Sequence, residues 1–129
     1  MSLTVPTTLL EQAQQGEMQQ TDFLACIKAS LPYAWHLIED LADRLPRSQA
    51  SFVDNQIPPP DEQARGQLLR VLSSDAMRNA IEDHFGVKLA FQNCHRVALF
   101  RRDSLDQTYQ EFISPRSQII NQKPELVDC

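Results

Sequence analysis

Apolar residues in this chain follow a helical spacing up to about residue 85 and a strict alternation directly after it. The strongest stripe starts at Pro32. Ala34, Ile38, Leu41 and Leu45, flanked by Trp35, Leu37 and Ala42, recur every three or four positions, while His36, Glu39, Asp40, Asp43 and Arg44 take the other side. That is the pattern of an amphipathic helix. Ser30-Leu31-Pro32 marks its start, because a proline loses nothing in a first turn whose amides lack intrahelical acceptors, and Pro46 closes it. Upstream, Thr8-Leu9-Leu10-Glu11 has capping-box spacing and predicts a short helix over 8–15 that ends at Gly16. Thr21 and Asp22 open another through about Ser30, with Phe23 and Ile27 on one face. The pattern leaves open whether 22–45 is one kinked helix or two.

Two further helices follow. Asp61 caps one over 62–72, with Ala64, Leu68, Val71 and Leu72 inward; Gly66 inside it costs about 1 kcal/mol relative to alanine. Ser73-Ser74-Asp75 breaks the stripe and caps a second helix to Phe85, with Met77, Ala80, Ile81 and Phe85 inward and Gly86 as its exit. Alternation then takes over: Val87, Leu89 and Phe91, a Gln92-Asn93-Cys94 turn, then Val97 and Leu99. This reads as a β-hairpin, although the turn lacks an Asn-Gly pair. Leu105, Tyr109 and Phe112 predict one more short helix before Ser114-Pro115. Ile119, Ile120, Leu126 and Val127 make the tail apolar enough to lie on the body.

Residues 46–61 are the one long irregular connection. Prolines 58 to 60 enforce an extended, polyproline-like arm, and Phe52, Val53 and Ile57 are expected to pin it to the core as an ordered strap. The expected fold is therefore α+β: a predominantly helical single domain over 1–129, with five or six helices and one β-hairpin.

Composition narrows the class. A chain of 129 residues with 42% hydrophobic content can build a core. No apolar run approaches the roughly 18 to 20 residues of a membrane span, so no membrane association is expected. The N-terminus carries no leading cations, which argues against a secretory signal. Cys26, Cys94 and Cys129 are odd in number and lack CxxC spacing, which argues against a disulfide framework or zinc knuckle and for a reduced, cytoplasmic setting. Nine arginines against three lysines favour fixed contacts with carboxylates or phosphates. Fourteen glutamines make the surface polar but largely uncharged. Charge is also uneven. Residues 1–64 hold nine acids and three bases, residues 65–129 eight acids and nine bases. Such a dipolar chain can self-associate or dock on another protein; ordinary scatter gives the same count.

Chemistry-bearing motifs are mostly missing. Glycine occurs only at 16, 66 and 86, so no phosphate-cradling loop can form. HExxH, paired Glu-x-x-His and GxSxG are absent. No cofactor or metal is expected, and the missing motifs favour a non-enzymatic protein over an enzyme. The one arrangement that could act is Cys94 beside His95, with His84 as a third candidate ligand, since a thiolate and an imidazole serve nucleophilic or soft-metal chemistry. Neighbouring strand residues point to opposite faces, so the alternative is a packed cysteine and a hydrogen-bonded turn histidine. His84 also sits in a last helical turn, where the terminal carbonyls favour a cation. His36 with Asp40 reads as a surface pair and Trp35 as core.

Residues 84–102 hold Lys88, Arg96, Arg101 and Arg102 with no carboxylate, inside a protein of net charge −5. They are the candidate partner-binding residues, with Phe100 as an apolar anchor, because arginine and aromatic residues dominate interface centres. The competing reading is self-neutralisation by Asp75, Glu82, Asp83 and Asp103. Two helices followed by a basic hairpin also mimic a winged helix-turn-helix. A DNA reader needs cations on its second helix, however, and here that helix is net negative, so nucleic acid is not the expected partner.

SLPYAW at 30–35, PPPDEQARGQLLR at 58–70 and HFGVKLAFQNCHRVALF at 84–100 resemble small soluble cyanobacterial proteins of unassigned function. The resemblance implies a cytoplasmic protein of a photosynthetic bacterium and transfers no functional residue. Taken together, the expectation is a small non-enzymatic interaction or regulatory protein, docking a protein partner or a second copy of itself (a homodimer) through the basic hairpin. The alternatives are a ligand- or metal-binding protein or enzyme using Cys94 and His95, and a winged-helix-like DNA binder.

Overall fold

A computed structural model describes residues 2–121, so Leu126 and Val127, expected against the body, and Cys129 lie outside the described residues. The stripes become helices α1 (Thr7–Gln14), α2 (Gln20–Ser30), α3 (Pro32–Arg44), α4 (Glu62–Leu72) and α5 (Asp75–Phe85). A 3-10 turn, Leu45–Arg47, ends α3 at Pro46. Leu31 separates α2 from α3 with φ −130 and ψ 62, as the residue before a proline is pushed out of the helical region. Residues 22–45 are therefore two helices.

Helix starts follow their cues unevenly. Asp61 accepts from Ala64 N at 2.8 Å and Ser74 from Met77 N at 3.3 Å, and Gly86 leaves α5 with φ +67. The expected Thr8–Glu11 capping box does not form. Helix α1 begins one residue earlier, after an extended Pro6, which puts Thr8 inside the helix rather than at its cap, and no side chain caps this end. The capping box lies instead at Gln19 and Asp22, opening α2.

The sheet has three antiparallel strands, β1 (Phe52–Asp54), β2 (Val87–Gln92) and β3 (Arg96–Arg101), in the order β1-β3-β2. The hairpin β2–β3 is in place, closed by Asn93 (φ +57) and Cys94 (φ +52). Positive φ at successive positions is what tight hairpin turns demand, and asparagine tolerates it better than most residues. Strand β1 corrects the sequence reading. Part of the expected strap is a third strand, registering Phe52 with Phe100, Val53 with Leu99 and Asp54 with Ala98. Three residues are too few for an alternation to show.

Helices α2 to α5 cover one sheet face. Leu24, Ile27, Ile38, Leu41, Leu68, Val71, Met77 and Ile81 meet Val87, Leu89, Val97 and Leu99 there in the main core. The opposite face carries Ala90, Ala98 and Phe100 and is covered by α6 (Gln107–Phe112) and α7 (Pro115–Ile120). Helix α7 also departs from expectation: Ser114-Pro115, read as an end, is a start, with Ser114 accepting from Ser117 N at 3.1 Å. Among the described residues there are thus seven helices rather than five or six. Ile57, expected to pin the arm, is 80% exposed, and Leu105, Ile119 and Ile120 are also exposed. The arm is held by Asn55, which donates to His95 O at 2.7 Å and accepts from Val97 N at 2.8 Å, and by buried Pro59.

Candidate functional site

The hairpin cations do not form one ridge. Period-two geometry sends Arg96 to the α6–α7 face with Phe100, and Arg101 to the other face. Nor are they left without partners. Arg96 Nε meets Asp54 Oδ2 at 2.7 Å, its Nη1 donates to Gln92 Oε1 at 3.1 Å, and its guanidinium carbon lies 4.9 Å from the centroid of the Phe112 ring. Lys88 Nζ lies 3.5 Å from Glu82 Oε2, and Arg102 Nη2 is 2.8 Å from Asp83 Oδ1. Arg101 uses no acid. Its Nη1 donates to Ala50 O at 2.7 Å and its Nη2 to Leu45 O and Ser48 O, both at 2.8 Å. It thereby ties the end of α3 and the following loop to β3.

Self-neutralisation therefore describes Lys88, Arg96 and Arg102, while Arg101 is held by carbonyls alone. Of the four anticipated acids, Glu82 and Asp83 serve the hairpin while Asp75 pairs with Arg78 at 2.7 Å. Asp54, forty-two residues before Arg96, was not among them. Phe100 is 1% exposed, stacked on Phe52 with ring centroids 4.8 Å apart and met edge-on by Tyr109 and Phe112. It is a core residue and offers no exposed anchor.

The Cys94–His95–His84 reading meets a similar correction. Cys94 is disulfide-bonded and offers no thiol, contrary to the inference from the cysteine count; Cys26 is free and buried. His95 Nδ1 lies 2.8 Å from Asn93 O, the hydrogen-bonded turn histidine of the alternative reading. His84 packs on Trp35 and Phe85, with centroids 5.6 and 4.6 Å away. The whole of β2 separates His84 from His95, and at roughly 3.3 Å per residue they sit about 20 Å apart. No group of three His, Cys, Asp or Glu side chains among the described residues is placed to hold a metal. His36 lies 3.6 Å from Glu39, and Asp40 pairs with Arg44 at 3.3 Å, so both belong to surface pairs along α3.

What the sequence reading missed are buried amides. Gln67 Oε1 accepts from Tyr33 N at 2.7 Å and Ala34 N at 3.2 Å, Asn55 extends the β1 ladder, and Gln92 Nε2 donates to Phe112 O and Ser117 Oγ, both at 3.0 Å. One signal was present: Gln67 lies on the Ala64–Leu68–Val71 stripe, where a polar residue must find a partner once buried. Tyr33 itself is half-buried, and burial first, then the nearby Asp61 carboxylate, raise its phenol above the ordinary 10.0. No helix among the described residues is long and apolar enough to cross a membrane.

The chain belongs to the family described as NucS shadow ORF, whose model matches residues 1–129. No curated protein and no solved structure matches it.

Proposed function

We propose that this is a small non-enzymatic interaction protein that docks a protein partner through the turn end of its hairpin and the proline-rich arm beside it. The observation that carries the proposal is Ile57, 80% exposed on an arm clamped on both sides. Asn55 ties the arm to His95 and Val97 on one side, and buried Pro59 holds it on the other. An apolar side chain displayed on ordered backbone loses little entropy on binding, which suits an anchor. An open cavity of about 320 Å³ between Ile57, Gln56 and the Leu37–Arg44 face of α3 extends the surface.

The test compares Ile57→Asp with Leu69→Asp, a change at an exposed leucine on α4, in pull-downs and in mass measurements of the purified protein. Loss of a partner or of a dimer with Ile57→Asp alone supports the proposal. An unchanged partner set and mass overturn it. A cytoplasmic setting belongs to the same reading. There the glutathione pool would work against the Cys94 disulfide, and thiol trapping in cells reads its state directly.

Nucleic-acid binding is not proposed. The family's name includes the letters KH, and a KH module clamps a nucleotide backbone with a GXXG loop. With glycine only at 16, 66 and 86, no such loop can form here. On α5, Arg78 is tied to Asp75, which leaves that helix with no free arginine or lysine to meet a phosphate.

A further inference from the structure

On the sheet face opposite the main core, Phe52 of β1, Arg96 of β3 and helices α6 and α7 bound a cavity of about 390 Å³, within the roughly 300–1,000 Å³ that holds small ligands. Its composition is that of a binding site rather than a packing fault. One wall is aromatic: Phe52 and Phe112 meet edge-to-face with centroids 5.8 Å apart, and Phe52 is itself fixed by stacking on Phe100. The polar side is preorganised. Arg96 is aimed by Asp54 at Nε and Gln92 at Nη1, and Gln92, 2% exposed, is in turn held by Phe112 O and Ser117 Oγ. With those two nitrogens engaged, Arg96 Nη2 donates to no described residue. Thr108 and Asn121 add a hydroxyl and an amide at the rim, and the rim acid Glu111 is already tied to Arg116 at 3.1 Å.

We propose that this cavity binds a small aromatic carboxylate, its ring against Phe52 and Phe112 and one carboxylate oxygen on Arg96 Nη2. The aromatic wall selects a flat apolar body, and the single remaining guanidinium donor selects one acceptor on its edge. Asp54 and the bound carboxylate share the one Arg96 cation, and the open rim leaves the ligand's second oxygen in water; a phosphate or dianion would add a further uncompensated charge and fits less well. The site stands apart from Ile57 and does not depend on how that residue is used.

Ligand-observed NMR and calorimetry on the full chain test it, with indole-3-carboxylate and benzoate as probes and indole as the control lacking the acceptor. The expected result is saturable binding of a carboxylate probe, at least about tenfold tighter than indole. Thr108→Trp, at an exposed rim position, should weaken it by a further factor of about ten, while Leu69→Asp on α4 leaves it unchanged. Shifts of Phe52 and Phe112 ring resonances in the wild-type protein locate the probe without relying on a variant. Absence of saturable binding, equal binding of indole, or shifts elsewhere than at these rings overturns the proposal.

Discussion

Gln67 caps a helix to which it does not belong: its side-chain carbonyl accepts the backbone N–H of Tyr33 at 2.7 Å, thirty-four residues away. Helix α3 starts at Pro32 after Leu31, which has no capping side chain, so its first amides are closed from α4. Gln67→Ala leaves two amides facing a void and should cost about 1–3 kcal/mol. Gln67→Glu keeps an acceptor at a helix N-terminus and should retain most of the stability. Chemical denaturation of the two variants beside wild type gives the comparison.

Arg101 should be a stability residue. It closes three carbonyls at and beyond the end of α3, so Arg101→Ala is expected to cost about 2–3 kcal/mol. Lysine cannot reproduce the fork and should recover less than half of that. A melting curve for each variant decides it. A partner-binding role without structural weight would leave both at the wild-type midpoint.

Glu82 guards the open edge of the sheet. Its carboxylate accepts Leu89 N at 2.8 Å on β2, occupying a donor that another strand could otherwise pair with. Glu82→Ala should destabilise by about 1–3 kcal/mol and raise the fraction of dimers and larger species in light scattering. Lys88→Ala removes only the half-exposed partner at 3.5 Å and should change stability by less than about 1 kcal/mol.

Stability should fall in alkali through Tyr33. Its folded-state phenol titrates above the unfolded value of 10.0 because burial and Asp61 disfavour the phenolate. Above that value the unfolded chain releases a proton that the folded chain still holds, so stability is complete below pH 10 and declines as pH rises toward the folded value. Tyr33→Phe should flatten this decline. Denaturation midpoints across that range, with phenolate absorbance followed in parallel, provide the measurement.

The candidate site was legible only in part. The cations of 84–102 and the acids near them could be named from the sequence, but their pairing could not. Arg96 bypassed nearby acids for Asp54, forty-two residues before it, and Arg101 took carbonyls up to fifty-six residues away. The alternation of Val97 and Leu99 leaves Phe100 on the other face of the strand, and could not say that α6 would cover that face. The sequence reading counts Gln67 among the surface glutamines and assigns Gln92 to the hairpin turn, because a polar side chain advertises its burial only through the apolar stripe it interrupts.

What the chain determined by itself was everything decided within a turn or two of backbone. The Pro32 start, the Asp61 and Ser74 caps, the left-handed exit at Gly86 and the hairpin all rest on neighbours that touch regardless of the remaining fold. Tertiary structure decided β1, the capping of α3 by Gln67, the docking of α6 and α7 and the partner of every hairpin cation. Those contacts join segments far apart in sequence, and which ones form depends on the shared packing of the two sheet faces. Local spacing carries no information about it.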